Sequence, residues 1–112
     1  VEFKTRDALE LWRTTLVEGV RARGPDLSAR QLALLLTVYL SAPPHTVRGL
    51  AAGLKVSKPA ITRALDRLGQ LGLLRRKRDE ADKRNVLVER TVKGSVFLND
   101  LGERIAAAGR AL

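Results

Sequence analysis

The sequence contains no cysteine, one histidine and only four aromatic residues, Phe3, Trp12, Tyr39 and Phe97. Without thiols there is no disulfide framework, no thiolate metal site and no cysteine redox sensor. His45 has no second imidazole or thiol to share a metal with and supports no His-dependent triad; following Ala42-Pro43-Pro44, it reads as a solvated loop residue. The one acidic cluster, Asp79, Glu80 and Asp82, falls in a turn among Lys77, Arg78, Lys83 and Arg84. Salt bridging explains it better than paired catalytic carboxylates, so the chain is expected to be no enzyme and to need no cofactor or metal. No apolar run approaches the roughly 18–20 residues of a membrane span, and no signal-peptide pattern opens the chain. These absences predict a cytoplasmic protein that does not engage a membrane. Methionine is missing too, position 1 included, so the true start is expected to be trimmed or to lie outside this sequence.

What the chain has in excess is positive charge: 21 Lys+Arg against 12 Asp+Glu, a formal +9. Eleven of these bases, against five acids, fall in residues 57–93. A localised excess of this kind is the footprint of a duplex binder, because phosphate neutralisation and counterion release supply most non-specific affinity. None of the aromatics lies among the bases. Single-strand and RNA modules need stacking platforms in the groove, so the pattern favours double-stranded DNA. A membrane surface or an acidic protein is the weaker partner, since no strongly apolar amphipathic face accompanies the basic stretch.

The length of 112 residues suits one domain with a modest core. Phe3 to Arg23 reads as a helix with Leu9, Trp12, Leu16 and Val20 on one face, ended by Gly24-Pro25. A lone tryptophan there is a core or interface anchor before it is a wall of a ligand pocket. Ser28 and Gln31 form a capping box with Leu27 and Leu32 as a hydrophobic staple, and the almost uniformly apolar Leu32 to Leu40 predicts a buried central helix. Thr46 caps a short helix through Leu54, with Leu50 and Leu54 inward. After Lys55-Val56, Ser57 caps a further helix whose first turn holds Pro59. Ile61, Ala64, Leu65, Leu68 and Leu71 then make one apolar stripe, opposite Pro59, Thr62, Arg63, Asp66, Arg67 and Gln70. Leu73 to Arg78 and Asn85 to Arg90 read as strands of a hairpin with a charged tip.

Two short helices followed at once by such a hairpin are the winged helix-turn-helix arrangement, mainly α with a small β-hairpin wing. The second helix enters the major groove and the wing reaches the neighbouring backbone or minor groove. On this reading 27–93 is the winged core of one domain spanning 1–112, flanked by helices within 1–24 and 94–112. Ser57, Lys58, Pro59, Thr62 and Arg63 lie where base contact is expected, with Arg63 the candidate for a bidentate guanine contact. Arg48, Arg67, Arg75, Lys77, Lys83 and Arg84 are candidates for phosphate, with Arg84 able to enter the minor groove, and Thr46 is a further candidate for contact with DNA. In the last segment Leu98, Leu101, Ile105, Ala108 and Leu112 recur at 3-4 spacing, as in a helix that packs on another helix.

Ser57, Thr62-Arg63, Leu65, Leu68, Gly72-Leu73 and Arg75-Arg76, followed by Asp79, Asp82-Lys83-Arg84, Val88, Thr91 and Gly94, resemble the MarR-type winged-helix transcriptional regulators. Lys83 stands for the family's usual arginine and Arg90 for a usual leucine at the strand's end. The resemblance implies a symmetric homodimer in which first and last helices interlock, making Leu9, Trp12, Leu16, Val20, Leu98, Leu101 and Ile105 dimer surface. It also implies an Asp82 that pairs with a wing arginine, repression by occlusion of a promoter, and a small-molecule effector where the family's effector pocket is complete. Family members usually carry two helices after the wing; the shorter segment here implies a constitutive or partner-controlled DNA binder if that pocket is lost. The rival readings are a winged-helix protein–protein interaction module and a nucleoid-type DNA binder of low specificity.

Overall fold

A computed structural model describes residues 2–112. Their elements, in chain order, are α1 (Thr5–Arg21), α2 (Ala29–Leu40), β1 (His45–Thr46), α3 (Val47–Leu54), α4 (Lys58–Gln70), β2 (Leu74–Arg78), β3 (Val86–Arg90) and α5 (Val92–Arg110). The chain separates into two compact units. One runs from Leu27 to Val96; the other joins the N-terminal segment through Asp26 to the segment from Phe97 onward. Among the described residues no helix is long and apolar enough to cross a membrane.

The unit from Leu27 to Val96 is a winged helix. Its first helix starts on the expected capping box: Gln31 N donates to Ser28 Oγ at 3.1 Å and Ser28 N to Gln31 Oε1 at 2.9 Å. Leu34, Leu35 and Val38 of α2 are fully buried, and the core continues through Leu50 and Ala51 of α3, Ile61, Ala64, Leu65 and Leu68 of α4, and Leu73, Leu74 and Val88 of the wing. The burial of α2 is not uniform, however. Leu40 is 80 % exposed, because it lies seven residues after the exposed Ala33, on the face of the helix opposite Val38.

The wing is a three-stranded antiparallel sheet in the order β1-β3-β2, where the sequence indicated a hairpin alone. His45 pairs with Val88 and Thr46 with Leu87, while β2 and β3 pair from Leu74↔Arg90 to Arg78↔Val86. The extra strand has a physical reason: β3 leaves one edge of donors and acceptors unpaired, and the extended chain after Pro43-Pro44 satisfies it. His45 is therefore not a solvated loop residue. It is a half-buried strand residue whose Nε2 lies 3.2 Å from the Ser41 carbonyl oxygen.

The end of β3 is organised by Tyr39. Its hydroxyl accepts from Thr91 N at 2.9 Å and lies 2.9 and 3.0 Å from the carbonyl oxygens of Leu73 and Thr91, donating to one at a time. Thr91 donates its hydroxyl to Gly72 O at 2.7 Å and accepts from Gly94 N at 2.9 Å, which caps α5. Gly94 has to lack a side chain: a Cβ there would collide with the Tyr39 hydroxyl and the Leu73 carbonyl and lie 2.8 Å from Tyr39 Cζ. Arg90 has its own task in place of packing. Its Nε donates to Val38 O at 3.1 Å and an Nη to Ser41 O at 3.0 Å, so a guanidinium covers the negative end of α2, 5.8 Å from the Tyr39 ring centre.

In the second unit, α1 and the later turns of α5 approach at small residues. A Cβ on Gly19 would lie 3.3 Å from Arg104 Nη1, and one on Gly109 would lie 3.6 Å from Leu11 Cδ1. Thr15 and Ala108 are buried, and the Thr15 hydroxyl donates to Leu11 O at 2.9 Å. Leu98, Leu101 and Ile105 are half-buried. The stripe on α1 is different: Leu9, Trp12, Leu16 and Val20 remain 66, 43, 49 and 72 % exposed, so its own chain does not cover it.

Candidate nucleic-acid interface

The turn before α4 is short because Lys55 takes the left-handed conformation at φ 57°, ending α3, and Ser57 then opens the next helix. Ser57 Oγ accepts from Ala60 N at 3.2 Å, and Pro59 sits in the first turn, where no intrahelical donor is missed. The apolar stripe is driven into the core, which fixes how the helix is rolled. Pro59, Thr62, Arg63, Asp66, Arg67 and Gln70 are all exposed as a result, together with Ser57 and Lys58. Six of the sequence's candidates, Ser57, Lys58, Pro59, Thr62, Arg63 and Arg67, thus share one solvent face of one helix.

The wing carries the rest. Lys77 on β2 and Lys83 at the tip are exposed. Arg75 on β2 donates from Nε to Glu89 Oε1 across the ladder at 3.2 Å, leaving its terminal nitrogens available. The tip is folded by two carboxylates. Asp79 Oδ1 accepts from the backbone of Ala81 and Asp82 at 3.0 and 3.2 Å, and Asp82 receives Arg84 bidentately, Nε to Oδ1 and Nη2 to Oδ2, both at 3.0 Å. Arg84 N adds a third bond to Asp82 Oδ1 at 3.2 Å. The Arg84 side chain and backbone together hold the Asp82 carboxyl below its ordinary pKa; a small burial effect opposes them, and the charge of Arg48 adds to the lowering. Asp82 in turn raises the pKa of Arg84. Arg48 is exposed in the first turn of α3, and Thr46 caps that helix by accepting from Gly49 N at 2.9 Å.

One contact of this surface was not read from the sequence. Arg76 Nη2 donates to Asp66 Oδ1 at 2.7 Å, joining the first wing strand to α4. The signal was present but weak. Asp66 is the lone acid on the polar face of α4, and Arg76 lies two residues after the core-facing Leu74, so strand alternation puts it on the side that meets α4.

A family model, MarR family, matches residues 27–86. The HTH-type transcriptional regulator PecS of Dickeya dadantii (strain 3937) is 33 % identical over 79 residues, which are 69 % of this chain and 48 % of that protein. The chain thus spans about half the length of this curated relative. Among solved structures, a mutant MarR from E. coli complexed with operator DNA matches 94 % of this chain and 69 % of its own at 26 % identity, with a TM-score of 0.70. A mutant MepR from S. aureus, 17 % identical, matches 98 % of this chain and 82 % of its own with a TM-score of 0.77, a likeness of fold. The winged-helix fold described above is shared with these two solved structures.

Proposed function

The chain belongs to the MarR family, and we propose that it is a transcriptional regulator that binds double-stranded DNA in a sequence-specific manner, acting as a homodimeric repressor by occluding a promoter. The observation that carries this reading is the exposed face of α4, where hydroxyls and guanidinium groups stand beside a wing whose first strand is lined with exposed bases, Arg75 to Arg78. Residues of these types at the start of a recognition helix read base edges, and the bases around them hold phosphates. Ser57, Lys58, Pro59, Thr62 and Arg63 are assigned to the major groove. Thr46, Arg48, Arg67, Arg75, Lys77, Lys83 and Arg84 are assigned to the backbone, with Asp82 setting the pose in which Arg84 approaches the minor groove. The uncovered apolar stripe of α1 and the half-buried Leu98, Leu101 and Ile105 are assigned to the dimer. The protein acts by binding and not by catalysis, and it works in the cytoplasm, where its DNA is.

The test is a fluorescence-polarisation titration of a duplex library at about 50 and 200 mM salt, with sequencing of what stays bound. The expected result is steep salt dependence and enrichment of an inverted repeat whose half-sites lie about one turn apart. Steep salt dependence without enrichment would mean an architectural binder of low specificity. No binding at the lower salt would move the protein to the interaction modules.

A further inference from the structure

The exposed face of α4 meets duplex DNA on the reading above, and this inference rests on that reading. It carries Lys58, Arg63 and Arg67 and a single acid, Asp66. A carboxylate on such a face repels phosphate, so by charge alone Asp66 weakens association with every duplex. Solvation would let the side chain turn away, but Asp66 is held: Arg76 donates to Oδ1 at 2.7 Å, with the two side chains 54 and 39 % exposed. Arg76 comes from β2; its neighbours Arg75 and Lys77 alternate to the other side of the strand, Arg78 on the same side lies nearer the tip, and it is Arg76 that reaches α4. The second oxygen, Oδ2, has no protein donor among the described residues. It is an acceptor left open on the recognition face, of the type that takes the exocyclic amino group of cytosine in the major groove.

We propose that Asp66, oriented by Arg76, is a specificity-determining residue: it lowers affinity for duplex at large and recovers the loss only where a base amino group meets its free oxygen. The pair is therefore a discriminator rather than a brace. A brace between helix and wing would support all duplexes alike, whereas a discriminator changes the ratio between the preferred site and the rest.

The experiment compares the unaltered chain with Asp66→Asn and Arg76→Gln in polarisation titrations of two duplexes, the one enriched from the library and a scrambled version of it. Thermal melts followed by circular dichroism check that each variant is folded. Asp66→Asn keeps an acceptor oxygen and removes the charge; it is expected to tighten binding of the scrambled duplex by about three- to tenfold while the enriched duplex gains less, so that discrimination falls. Arg76→Gln frees the carboxylate and removes a cation, and is expected to weaken both duplexes while losing discrimination as well. If Asp66→Asn moves both duplexes by one factor, or moves neither, the discriminator role is overturned. If the unaltered chain binds neither duplex, it is the DNA-binding reading that fails.

Discussion

Tyr39 uses one hydroxyl to hold the turn after α4, the end of β3 and the entry to α5. Tyr39→Phe removes that oxygen and leaves Thr91 N without its partner in a half-buried site, which is expected to cost about 1–3 kcal/mol. Urea unfolding would read this as a lower midpoint with an unchanged slope; an unchanged midpoint would mean that water replaces the hydroxyl at no cost. None of this was legible in the sequence, because the partners of Tyr39 lie 34 and 52 residues away and no local pattern announces them. Thr91 and Gly94 were legible as motif residues, but not why they are needed: the threonine caps α5, and the missing side chain makes room for the tyrosine. Asp82 allows a pH prediction with a definite sign. Its folded pKa is depressed, first by the Arg84 side-chain bonds, so the contribution of the pair is present above the ordinary carboxylate range and disappears only as pH falls through the lower folded value. An NMR titration of the Asp82 carboxyl should have its midpoint below that of a free aspartate, and Arg84→Gln should raise it part of the way back, since the backbone N–H at position 84 and the charge of Arg48 remain.

At the scale of elements, α4 and the wing divide the work differently. The helix was readable almost residue by residue, since Ser57, Pro59 and a stripe at the helical period determine its start and its roll together. The two-residue β1 was not, because His45-Thr46 is too short to show any alternation and forms only against the free edge of β3. Nor was the Asp66–Arg76 contact, which crosses the corner between α4 and β2. The division of labour predicts two kinds of loss. Arg63→Ala is expected to cost about 1–3 kcal/mol on the preferred duplex and to relax the choice of one base, as removal of a base-edge contact does. Lys77→Ala is expected to weaken all duplexes alike and to lower the slope of log affinity against log salt by about one. Parallel titrations on preferred and random duplex decide; equal losses for Arg63→Ala on both would remove it from the bases.

For the whole molecule, the question is what covers α1. Leu9, Trp12, Leu16 and Val20 form a stripe along one helix that is exposed in the single chain, and Phe3 and Val17 beside it are exposed as well. On the proposed reading a second copy covers it, in the twofold arrangement that an inverted repeat would demand. Leu16→Glu places a charge in the middle of the stripe and is expected to convert dimer to monomer in sedimentation equilibrium, with loss of binding to the paired half-sites at salt concentrations where a single half-site is too weak. A variant that sediments as a dimer would move the interface elsewhere. The fold carries one more consequence, in its order of closing. The pairing of Thr46 with Leu87 ties off a loop of roughly forty residues that contains α3, α4 and the outer part of the wing, and loop entropy of this kind grows only with the logarithm of length. Its reward is a ladder of two residues, against five in the pairing of β2 with β3. This clasp is expected to shut last during folding and to spring first in the native state. In deuterium exchange the amides bonded between β1 and β3 should therefore exchange ahead of those between β2 and β3, in an opening that releases the start of α3 while the outer hairpin stays zipped.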